Sequence, residues 1–191
     1  MSSKSTKNQI YETLVNLAKE RTLEKVTVVD VISEIDIARQ TFYYYYHSIP
    51  EVYFKRLLEC IPQDEPSGHD ILFAIRKVTR LCEAMQREKD MTIQFFRAYS
   101  EEISQLMHDY FLGLITRTFQ VTYGKDIPTK SMIILAEFHA NGYTGIIRKW
   151  VNEGMTDDVP VTIILKDAWS SFMMSEAVEN VKAMLAKDQS L

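Results

Sequence analysis

The chain has 191 residues, 46% hydrophobic and 25% charged, with a formal net charge of −4. It is long enough to bury a sizeable core, and its composition is that of an ordinary soluble globular protein rather than a disordered one. No apolar run approaches the 18 or so residues of a membrane span. The N-terminal MSSKSTKNQ holds no signal-peptide core, so a cytoplasmic protein with reduced thiols at Cys60 and Cys82 is expected.

In chain order, Thr6 to Lys19 predict a first helix with Ile10, Leu14, Leu17 and Ala18 on one face. Thr27 is placed to cap a second helix, with the acid Asp30 three positions on. Val28, Val31, Ile32 and Ile35 then recur at i, i+3, i+4 and i+7, the stripe of a short amphipathic helix. Ser33 to Asp36 break that run, and a third helix is predicted from Ala38 to Tyr45. At about 100° per residue, Arg39, Gln40, Tyr43 and Tyr44 fall within an arc of roughly 140°. Phe42 and Tyr46 lie off that arc and are expected to face back toward the first helix. Two short helices on a tight turn, the second exposing Arg, Gln, Tyr and Tyr, have the form of a helix-turn-helix DNA reader. Four consecutive aromatics, Tyr43 to Tyr46, cannot all enter one core from a helix, which weighs against a purely structural cluster.

Ser48, with Glu51 three residues later and Pro50 in the first turn, signals a fourth helix, striped by Phe54, Leu57, Leu58 and Ile61. The segment PQDEPSGHD, residues 62–70, is the strongest linker in the chain. It divides a reader over residues 1–61 from a regulatory and dimerisation body over 62–191. In that body helices are predicted at 69–88, 91–99, 101–123, 128–153 and 159–187. The whole is all-α: a small N-terminal three-helix domain plus a larger helical one.

Charge gives the DNA reading little support. Residues 1–50 hold six Lys/Arg and six Asp/Glu, and the remainder holds 16 and 20. A tight non-specific grip on phosphates calls for a basic face. Clustering of Lys4, Lys7 and Arg39 along one side is the way a neutral section could still provide one.

The residues from Thr27 onward also resemble the DNA-binding domain of the tetracycline-repressor (TetR) family. The matching positions are Thr27, Asp30, Val31, Ile37, Thr41, Phe42 and Tyr43, with Tyr45 and Tyr46 in the aromatic positions that follow. The run IARQTFYYYY is similar to a Firmicutes-type subgroup that includes regulators of dihydroxyacetone kinase operons, and residues 138–155 resemble the penultimate helix of that subgroup. Three positions depart from the pattern. Asp36 replaces the turn glycine, which Asp tolerates because it enters the left-handed region more readily than most residues. Ala38 replaces a serine, and Ile49 replaces a lysine that in the family sits against a DNA phosphate.

Direct reading assigns Arg39 to guanine and Gln40 to adenine or phosphate. The resemblance implies phosphate or thymine-methyl contacts for Thr41, Tyr43 and Tyr44, and a phosphate contact for Thr27. It also implies a pseudo-palindromic double-stranded DNA operator, a homodimer, and repression relieved by a small-molecule effector. Activation answering to a protein co-regulator, or a helical interaction protein with a degenerate reader, are the alternatives. The candidate effector residues are Phe95, Tyr99, His108, His139 and Tyr143, with Asn141 as a further polar anchor. Each has plain core packing or surface as its rival reading. Gly142 and Gly145 inside a helix suggest close helix approach at a dimer interface, or two tolerated glycines.

No catalytic or cofactor site is expected. His47, His69, His108 and His139 are scattered without metal-ligand spacing, and no Gly-rich phosphate loop, G-x-S-x-G or H-E-x-x-H occurs.

Overall fold

The computed structural model describes residues 3–66, 72–123, 130–156, 161–163 and 165–167. Among these the chain is all-α, without a strand. Helix α1 spans Ser3–Glu20, and a short 3-10 turn, Leu23–Lys25, leads to α2, Val28–Glu34. Then come α3, Arg39–Tyr45, and α4, Ile49–Glu59. The body holds α5, Phe73–Arg87, α6, Lys89–Tyr123, and α7, Lys130–Asn152.

Local chemistry sets the boundaries. Thr27 and Asp30 form a reciprocal capping box at α2. Ser48 caps α4, and Pro50 sits in its first turn, where a missing N–H costs nothing. Helix α7 ends at Gly154, whose φ of +79° suits glycine. There the N–H of Met155 reaches Trp150 O and that of Gly154 reaches Val151 O, the paired bonds of a Schellman cap. The predicted gap between residues 99 and 101 is present as a kink inside α6, where Tyr99 leaves helical geometry at φ −136°, ψ 41°. The predicted fifth helix begins at Phe73, and residues 67–71 lie outside the described part. Most of the predicted 159–187 helix lies outside it too; its described residues 161–163 and 165–167 are helical, with Val161 and Leu165 buried.

One connected apolar core runs from Ile10 through Phe42, Tyr53 and Phe95 to Trp150 and Leu165. The small and large parts therefore share packing rather than hanging on a free linker. Tyr53 of α4 stacks on Phe95 of α6 at 4.2 Å, with its hydroxyl 2.5 Å from that of Thr92. The Thr92 hydroxyl also lies 2.9 Å from Met85 O and 3.0 Å from Glu88 O. Tyr11 of α1 donates to a Glu88 carboxylate oxygen at 2.6 Å, and Tyr99 donates to Leu23 O at 2.8 Å. Residues 62–66 are held down as well. The buried Lys77 ammonium donates to Pro62 O and to the Asp64 carboxylate, and Arg117 reaches Glu65 at 3.4 Å.

Candidate nucleic-acid interface

Two seven-residue helices, α2 and α3, are too short to be stable alone, so packing must hold them. Val31 of α2 and Phe42 of α3 are both fully buried. The chain turns between them at Asp36, the left-handed residue of the turn at φ +49°. This is the position where the family pattern has glycine, and Asp is among the few other residues that enter the left-handed region readily.

The outward side of α3 carries Arg39, Gln40, Tyr43 and Tyr44, all exposed, with Tyr44 at 80%. Phe42 and Tyr46 point the other way into the core, and burial pushes the Tyr46 hydroxyl up to about 12. Arg39 lies over the Tyr43 ring, its guanidinium carbon 5.5 Å from the centroid, and reaches the Tyr43 hydroxyl at 3.5 Å. On the other flank the rings of Tyr44 and Tyr45 meet edge-on at 4.9 Å. Thr41 is half-buried beside this arc.

Thr27 is exposed, but both its donors are engaged. Its N–H and hydroxyl donate to the Asp30 carboxylate at 2.8 and 2.6 Å. Those two bonds, with Arg21 at 3.0 Å, hold Asp30 at about 2. Ile49 departs most from the sequence reading. It is 6% exposed and belongs to the core, so the first turn of α4 places an apolar side chain inward at the position where the family pattern has a phosphate-facing lysine.

The five effector candidates do not converge. Phe95 and Tyr99 pack together at 6.1 Å and bond toward α4 and the 3-10 turn. His139 and Tyr143 form a separate cluster with Phe111 between α6 and α7, and burial lowers the His139 pKa. His108 lies at a surface cleft, bonded to Glu137 at 3.0 Å. That leaves plain packing as the structural role of Phe95, His139 and Tyr143. An open cleft of about 400 Å³ lies elsewhere, beside residues 62–66, lined by Phe73, Lys77, Tyr110, Leu114 and Arg117 and by none of the five candidates. Among the described residues, no group of three His, Cys, Asp or Glu side chains could hold a metal ion. No helix there is long and apolar enough to cross a membrane.

The family described as "Transcriptional regulator C-terminal region" (TetR_C_8) matches residues 75–163, within the helical body. The helical body thus carries the C-terminal region of a TetR-type transcriptional regulator. A solved structure titled "Dihydroxyacetone kinase operon activator DhaS" superposes with a TM-score of 0.57 at 13% identity. The match covers 90% of this chain and 95% of that one. None of the curated proteins compared matches the sequence. The TetR family is one of transcriptional regulators rather than enzymes, and the two-part all-α architecture is the one this chain shares.

Proposed function

We propose that the chain is a cytoplasmic, dimeric, one-component transcriptional regulator whose α3 enters the major groove of a pseudo-palindromic operator. The observation that carries this is the division of α3: Arg39, Gln40, Tyr43 and Tyr44 face solvent, while Phe42 and Tyr46 are spent on the core. A helix of seven residues presenting four hydrogen-bonding side chains outward on a rigid base suits base and phosphate readout. Functionally the chain divides into a reader, residues 1–61, and a regulatory body, residues 62–191.

The dimer is proposed to form through α7 and the segment after it. Ile134 and Phe138 are exposed at 60% and 69%, and Asn141, Gly142 and Gly145 continue the same face. A Cβ added at either glycine would meet nothing within 4 Å in this protomer, so packing inside it does not require them. Release of DNA by a small-molecule effector is the first reading of the signal. Activation through a protein co-regulator is the second. It is favoured by the separation of the five candidate effector residues and by the activator title of the structural neighbour.

Selection from random duplex DNA tests the function. The full-length protein should enrich a pseudo-palindrome, and Arg39→Ala should cost about 1–3 kcal/mol and relax base preference at one position per half-site. No sequence preference in the wild-type protein would replace this reading with the helical interaction protein.

A further inference from the structure

With Ile49 in the core, the start of α4 offers no cation to a DNA backbone. Two lysines from different helices instead converge on Tyr45. Lys7 of α1 lies over the Tyr45 ring, its ammonium 5.8 Å from the centroid. Lys55 of α4 donates to Tyr45 O at 3.0 Å and lies 5.5 Å from the Tyr46 ring centroid. With Arg39 as the origin and about 100° per residue, Tyr44 sits near 140° and Tyr45 near 240°. Tyr45 therefore lies about 100° past the Tyr44 end of the reading arc, toward α1 and α4, and the edge-on contact of the Tyr44 and Tyr45 rings at 4.9 Å is what joins the lysine-bearing side to that end. They also line one open cleft between α1 and α4, about 590 Å³, together with Asn8, Arg56, Gln63 and one carboxylate, Glu59.

The charges nearby leave both ammonium groups usable. Lys7 has no carboxylate partner among the described residues. Lys55 pairs with Glu51 at 2.9 Å, but the Glu51 side chain is only 12% exposed and is also held by His47, while Lys55 is 41% exposed. An ammonium has three N–H donors, and Tyr45 O and Glu51 take two. Arg56 is occupied by Glu59 at 3.2 Å and by the Tyr11 ring.

We propose that Lys7 and Lys55 form a two-cation phosphate grip along the Tyr44–Tyr45 edge of α3, in place of the lysine that Ile49 replaces. The proposal rests on α3 being the DNA reader. A helix in the major groove has a phosphate wall on either side, so each edge of the reading arc needs its own backbone contacts. It also accounts for how an electrically neutral section of chain holds DNA: the cations are concentrated at one edge rather than in excess.

The test uses the full-length protein on its selected operator, with affinity measured between about 50 and 200 mM salt. Each phosphate contact contributes about 0.9 to the slope of log K against log salt. Lys7→Gln should lower the slope by about 0.9 and the double variant with Lys55→Gln by about 1.8. Over that salt range the wild-type protein should then lose about twelvefold more affinity than the double variant. Lys55→Arg should keep the slope, and the selected sequence should stay the same in all variants. Because Lys55→Gln also removes the bond to Tyr45 O, Lys7→Gln and Lys55→Arg carry the test if the double variant melts early. An unchanged slope in folded Lys7→Gln would overturn the grip while leaving the reader intact. If the wild-type protein shows no sequence preference, the reader fails instead, and the same slopes on random duplex DNA still decide whether these lysines grip phosphates.

Discussion

Phe42 and Tyr44 sit two residues apart on the same seven-residue helix, yet their truncations should separate stability from binding completely. Phe42 is 0% exposed, with ring contacts at 5.5 Å to Tyr43 and 6.0 Å to Tyr46. Phe-to-Ala changes at such sites cost about 3–5 kcal/mol through lost transfer energy and the cavity left behind. A domain of this size loses about 2–4 °C of Tm per kcal/mol, so Phe42→Ala should melt about 6–20 °C lower. Tyr44 keeps most of its surface in water and meets the Tyr45 ring edge-on, so Tyr44→Ala should change stability by less than about 1 kcal/mol. Its effect belongs in the complex: losing a hydrogen bond to a phosphate should weaken operator binding by about 1.5–3 kcal/mol, roughly ten- to a hundredfold in Kd. Thermal denaturation followed by circular dichroism, paired with anisotropy titration of labelled operator, reads both quantities. The reasoning is refuted if Tyr44→Ala lowers Tm as far as Phe42→Ala while leaving Kd unchanged.

Ile49→Lys should destabilise the fold by about 1.5–3 kcal/mol, the burial value of the isoleucine, despite restoring a residue type common in the family. A melting curve at or above wild-type would show that position 49 is not core. Gly145→Leu should leave the protomer folded, because the space around it is open within the chain, yet weaken self-association in sedimentation velocity. An unchanged dimer would remove α7 from the interface. Burial lowers the His139 pKa, so the unfolded chain takes up a proton more readily than the folded one. Its contribution to stability is therefore present above the unfolded value of about 6.5 and is lost as pH falls toward the lowered folded value. Urea midpoints from about pH 8 to pH 5.5 should fall for the wild-type protein and fall less for His139→Gln; parallel profiles would contradict this.

Local features were legible in the sequence wherever the chemistry is local. Thr27 with Asp30, Ser48 with Glu51, and Asp36 in a turn declare helix starts and a left-handed bend through groups only a few residues apart, and all three are present. The arc of α3 followed from periodicity alone. Long-range placement was not legible. Nothing in the residue types says that Ile49 turns inward, because the family pattern marks a surface site and only the packing of α4 decides the matter. The aromatics of the body gave too many equivalent candidates for a pocket. Phe95 and Tyr143 prove to stack or pack on neighbours more than 30 positions away. Lys55 was within reach, since Glu51 four residues before it is the favourable order for a helical ion pair. That pairing reads as ordinary surface until Tyr45 and Lys7 are seen beside it.

The two breaks that bound the first turns of α6 set how motion can pass through this molecule. At Glu88 (φ −110°, ψ 40°) and at Tyr99 the backbone leaves helical geometry, while between them Thr92 and Phe95 are clamped to Tyr53, and at the ends Glu88 and Tyr99 bind α1 and the 3-10 turn. Residues 89–98 are therefore mechanically part of the small N-terminal unit, although the chain runs on from them into the body. A rotation of α1–α4 would carry that segment along and place bending at these two corners, where the backbone already departs from helical geometry. If α1–α4 are the DNA reader, a shift of the long C-terminal run of α6 against α7 would reach it through residues 89–98 as well as through the tether of residues 62–66.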